Sequence, residues 1–170
     1  MNVYAPAKQN NVREKRTAIS PGIAQSYALA GTFIWIGAVC AISFLEAWLK
    51  FRAPGITLPL GLGIGRLVFS ALNKVEWMFA IVLLASAWLY ARHRLLSAAH
   101  AVLLCVIAVL AVQTVWLLPA LDARAELYIT GQPVPPSLLH VYFVIAEVIK
   151  TALLTAYGIS LFKYDTAHQT

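Results

Sequence analysis

The sequence predicts an all-α integral membrane protein: a four-helix bundle with an amphipathic helix, interfacial or re-entrant, between its first two spans. Three observations carry this. Of 170 residues, 61% are hydrophobic and only 12% charged, and the mean hydropathy is +0.75, far from the composition of a water-soluble domain. The apolar residues fall into four runs of a length suited to crossing hydrocarbon, which takes roughly 20 residues as a helix. In lipid each run must satisfy its own backbone hydrogen bonds, which selects helices. The low charge and 11% aromatic content also exclude a disordered chain.

In chain order, residues 1–26 form a polar tail carrying Lys8, Arg13, Lys15 and Arg16. They lack the apolar stretch of a cleavable signal peptide, so the first span reads as uncleaved. The membrane domain covers 27–163, with spans at about 28–49, 75–91, 95–118 and 138–162 and a C-terminal tail at 164–170. The third span is expected to stop before Pro119. Pro133, Pro135 and Pro136 lead into the fourth, where a missing backbone donor costs nothing.

Basic residues decide the orientation. Seven lie in the N-terminal tail, at Arg92 and Arg94 and at Lys163, against five on the other side: Lys50, Arg52, Arg66, Lys74 and Arg124. The dense tail adjoins the first span, which places both termini in the cytoplasm of a bacterial inner membrane. On so apolar a chain the net charge of +6 speaks to topology and not to nucleic acid.

Between the first two spans, Leu62–Asn73 has a helical pattern. At about 100° per residue Arg66, Ser70 and Asn73 share a narrow arc among apolar neighbours, as in a helix lying along the interface. Gly61, Gly63 and Gly65 would equally permit a re-entrant hairpin. The same glycines are no nucleotide signal, because neither a preceding strand nor a Walker lysine-hydroxyl pair accompanies them. Gly37 and Ala41 form a small-residue pair suited to bundle packing or self-association.

In a four-span chain the end of span one, the start of two, the end of three and the start of four share one leaflet. The polar residues gather there: Glu46 and Lys50, Lys74 and Glu76, Gln113 and Thr114, then His140, Glu147 and Lys150. Glu147 and Lys150 lie well inside span four, too deep to snorkel. At about 2.5–3.5 kcal/mol per charge they should face protein. His140, Glu147 and Thr151 share a face, Lys150 can reach Glu147 on its own helix, and Glu46 and Lys50 are four apart. An interhelical Glu46–Lys150 pair, or a ring including Glu147, is expected. Glu46, Lys50, Arg66, Gln113, His140, Glu147 and Lys150 are therefore the candidate binding residues. Two interpretations stay open: structural pairs that hold the bundle, and a polar pocket that binds an ion, a proton or a polar head group.

His100 and His140 fall near opposite surfaces of antiparallel helices, which argues against a bis-histidine haem. Cys40 and Cys105, within apolar runs, read as small buried hydrophobes. No catalytic triad, metal-ligand spacing or paired catalytic carboxylates can be picked out, and no cofactor is named by the residues.

The order of Phe51-Arg52-Ala53-Pro54-Gly55, Gly63-Ile64-Gly65-Arg66-Leu67-Val68-Phe69, Pro119 and Leu139-His140-Val141 resembles the small four-span bacterial membrane proteins of unknown function related to the eukaryotic transmembrane protein 205. The resemblance covers roughly Thr32 to Phe162 and implies an integral membrane protein without an established catalytic activity. The expected functions are three. The first is a non-enzymatic inner-membrane protein, transport-associated or a small subunit of a membrane complex. The second is an embedded module binding a quinone, lipid or redox cofactor in an outer-leaflet pocket. The third is a small channel or transporter built by homo-oligomerisation.

Overall fold

The computed structural model describes residues 21–90 and 98–166. The basic tail before residue 21 and the Arg92–Arg94 turn, which carry most of the orientation count, lie outside the described residues. Among the described residues four helices are long and apolar enough to cross a membrane: Gln25–Arg52, Leu58–Trp88, Ala98–Ile129 and Leu139–Phe162. They are the first to fourth helices below, and no strand occurs among the described residues. Leu67, Met78, Ile81, Trp88, Leu104 and Val115 stand exposed along the bundle, the distribution expected where lipid replaces water.

Thr57 and Pro59 start the second helix: the Thr57 hydroxyl accepts the Leu60 amide at 3.4 Å, and the proline sits in the first turn. From there the helix runs unbroken over Leu58–Tyr90. Leu62–Asn73 is helical, as its pattern predicts, but it is neither a separate interfacial helix nor a re-entrant hairpin. It is the first part of span two, which begins at Leu58 instead of 75. The physical reason is the lack of any Gly or Pro after Gly65 until the helix ends. The glycines before it serve close approach: a Cβ on Gly61 would collide with the Phe51 ring, and one on Gly65 would lie 3.1 Å from Lys50 Nζ. Pro54 and Gly55 reverse the chain ahead of them in a type II turn, with Ile56 donating to the Ala53 carbonyl at 3.2 Å and Gly55 at φ 81.

The third helix likewise outlasts its expected end. Over Gln113–Leu117 it widens to a π-helical turn, and Leu118 donates its amide five residues back to the Gln113 carbonyl. This shift in bonding register takes up Pro119, and the helix continues through Leu118–Ile129. It ends in a Schellman motif: Gly131 adopts φ 70, Gln132 donates to the Leu127 carbonyl at 2.9 Å and Gly131 to that of Tyr128 at 3.3 Å. A similar π-helical turn interrupts the first helix at Cys40–Glu46.

The core is layered. Toward the start of the first helix and the end of the fourth, Trp35, Ala80, Leu83, Leu103, Val106 and Leu154 pack at 0 to 1% exposure in a dry apolar cluster. Above it toward the two loops lie buried polar residues, then a cavity. Gly37 and Ala41 face outward, with nothing within 4 Å of a Cβ on Gly37, so they pack no helix of this bundle. Cys40 and Cys105 are exposed on the bundle surface and not buried as their apolar runs suggested.

Candidate functional site

The seven candidate residues separate into two neighbouring constellations. Gln113, Glu147 and Lys150 belong to a buried polar cluster, and Lys50, with its partner Glu46, Arg66 and His140 belong to the cavity above it.

In the cluster Lys150 is 0% exposed and Glu147 1%. Lys150 Nζ donates to Gln113 Oε1 at 2.8 Å and to Glu147 Oε1 at 3.1 Å, and forms an ion pair with Glu76. Gln113 Nε2 donates in turn to Glu147 Oε1 at 2.8 Å, and Trp35 Nε1 donates to Glu76 Oε1 at 3.0 Å. All four helices thus contribute, and Lys150 meets three partners, two by hydrogen bonds and Glu76 as an ion pair. The predicted intrahelical Glu147–Lys150 contact is present. The interhelical partner of Lys150 is Glu76, not Glu46. The reason is depth: Glu46 lies near the end of the first helix and is taken by Lys50 at 3.1 Å, whereas Glu76 sits in mid-helix on the inward face.

The cavity measures about 560 Å³ and is lined by residues of all four helices. Its origin is a mismatch in helix starts. Phe69 and Phe143 meet edge to face at 5.3 Å, yet the second helix begins at Leu58 and the fourth only at Leu139. The fourth therefore starts about two turns lower, roughly 10 Å, leaving a gap among the other three. Phe143 and His140 form the side on which the fourth helix begins. Thr114 and Asn73 form the floor: the Thr114 hydroxyl accepts from Asn73 Nδ2 at 2.9 Å and from Trp77 Nε1 at 3.0 Å, and donates to the Leu110 carbonyl at 2.8 Å.

The cations around the cavity are compensated. Lys50 pairs with Glu46 and holds its ammonium 5.6 Å from the Phe51 ring centre and 5.4 Å from that of Phe69. Arg66 grips Asp122 with a two-pronged fork, Nε to Oδ1 at 2.6 Å and Nη2 to Oδ2 at 3.0 Å, and also pairs with Glu126. Such a site is neutral to slightly acidic. Two of its polar groups, the exposed His140 and Ser70, make no side-chain hydrogen bond to the described residues, and Lys50 spends only one ammonium proton, on Glu46.

Four participants escaped sequence reasoning. Trp35 is one indole in an apolar run and carries no signal of its own. Glu76 was visible as a polar residue at the start of a span, but a span starting at 75 put it at the surface. Asp122 and Glu126, four apart and opposite in charge to Arg66, would have signalled a helix face had Pro119 not suggested a helix end. His100 and His140 stand at the starts of the third and fourth helices, as expected. No group of three metal-ligating side chains occurs among the described residues. The chain matches no family model, no curated protein and no solved structure.

Proposed function

We propose that this chain is a non-enzymatic, multi-pass protein of a bacterial inner membrane, architecturally akin to the small four-span family it resembles, and that its cavity binds the head of a neutral, hydrogen-bond-accepting amphiphile of the quinone class. With both termini cytoplasmic, the cavity opens toward the outer leaflet.

The compensated charge around the cavity carries this proposal. A phospholipid phosphate needs uncompensated cations, yet Lys50 is paired with Glu46, and Arg66 is paired with both Asp122 and Glu126. A quinone head needs donors to its carbonyls and flat apolar faces for its ring. His140, Ser70 and the remaining ammonium protons of Lys50 supply the donors; Phe51, Phe69 and Phe143 supply the faces. A volume of about 560 Å³ lies within the range of small-molecule sites, about 300–1,000 Å³.

The test is purification in native lipid, followed by solvent extraction, absorbance spectroscopy and mass spectrometry. Quinone should accompany the wild type in near-stoichiometric amount and fall about tenfold in Ser70→Trp, which fills the cavity from an exposed position. Recovery of phospholipid alone, in the proportions of the surrounding membrane, would overturn the quinone assignment and leave the subunit interpretation in its place.

A further inference from the structure

The buried cluster contains more negative than positive charge. Glu76 and Glu147 bring two carboxylates, Lys150 brings one ammonium, and all three residues are at most 3% exposed. Among the described residues the other groups hydrogen-bonded to these side chains are uncharged: Gln113 from the third helix and Trp35 from the first. Ionised throughout, the cluster would hold one net negative charge in the middle of a membrane bundle, the arrangement proteins avoid most strongly.

The two carboxylates are not equivalent. Glu76 takes both of its partners, the Trp35 indole N–H and Lys150, on Oε1, but its Oε2 is not a buried atom left without a partner. Glu147 receives Lys150 and Gln113 on the same oxygen, Oε1, while its other oxygen, Oε2, is buried without a hydrogen-bond partner among the described residues. A bare anionic oxygen there would be far costlier than a neutral hydroxyl. The cavity lies close by on three helices. Asn73 is one turn from Glu76, Thr114 is adjacent to Gln113, and Phe143 is one turn from Glu147, with His140 on the same face a further turn toward the opening.

We infer that the Glu76–Lys150–Glu147 cluster is a proton-binding site, holding one proton at neutral pH on Glu147 Oε2 and exchanging it with the cavity past Phe143 and Thr114. The cluster is then neutral: one carboxylate, one ammonium and one carboxylic acid. Removing either acid removes the need for the proton. In Glu147→Gln the site is gone. In Glu76→Gln, Glu147 must itself ionise to balance Lys150.

Infrared difference spectroscopy of the full chain in lipid reads this directly, through the carbonyl stretch of a protonated carboxyl. At neutral pH the wild type should show such a band, shifted on transfer to heavy water. Glu147→Gln and Glu76→Gln should each lose it, while Glu46→Gln, whose carboxylate is partly exposed and paired with Lys50, should retain it. No band in the wild type overturns the inference, and so does a band that survives both substitutions. If neither variant folds, the wild-type spectrum still decides, because a permanently ionised cluster gives no band. A bound quinone is not required, so failure of the proposed cavity ligand leaves this result intact.

Discussion

Trp35 and Glu76, on different helices, meet where the indole Nε1 donates to Glu76 Oε1 at 3.0 Å. Trp35 is 0% exposed, so its ring belongs to the apolar core while its one polar atom reaches the charged layer above. The contact ties the first helix to a cluster whose other members come from the second, third and fourth.

Trp35→Phe keeps most of the ring volume and removes the donor. Glu76 then loses one of its two partners, at a cost of about 1–3 kcal/mol. The detergent-solubilised variant should melt well below the wild type, whereas Trp88→Phe, at a 70% exposed position, should not. Equal melting temperatures would show that the Trp35 hydrogen bond contributes nothing to stability.

Lys150→Met removes the single cation among two buried acids. Breaking a buried pair from one side costs about 3–5 kcal/mol, while Lys74→Met, on an exposed face of the second helix, should change stability by no more than about 0.5 kcal/mol. Thermal unfolding of the two variants side by side checks this. Equal loss would place Lys150 outside a tight network.

Arg66→Lys keeps the charge but cannot reproduce the fork to Asp122. Because the three side chains are partly exposed, the effect should be local. Amide exchange should quicken several-fold across Leu118–Ile129, with little change near Leu103 and Val106. Unchanged exchange in the end of the third helix would show that Arg66 does not clamp it.

Gly61→Ala places a methyl group against the Phe51 ring, so the ring or the helix must move. A loss of about 1–3 kcal/mol is expected. Replacing Gly37, where a Cβ meets open space, should be tolerated or mildly stabilising as alanine in a helix. A reversed order in melting temperature would contradict the packing of the first helix end on the second.

Hydropathy determined the all-helical class and the number of spans, because the cost of burying an unpaired backbone is set by each segment alone. Depth arithmetic similarly identified Glu147 and Lys150 as facing protein. Tertiary structure decided the partners. Local rules suggest that Pro119 stops a helix and that the glycines at 61–65 start a separate element, but a π-helical turn and the packing of Phe51 and Lys50 override them. Those two extensions carry Glu76 to mid-helix and bring Asp122 to Arg66. The cavity depends on the relative heights at which the second and fourth helices begin, a quantity set by contacts such as Phe69 with Phe143 between segments distant in the chain. A one-dimensional pattern records which face of a helix is polar, but it contains no term for how far one helix slides along another.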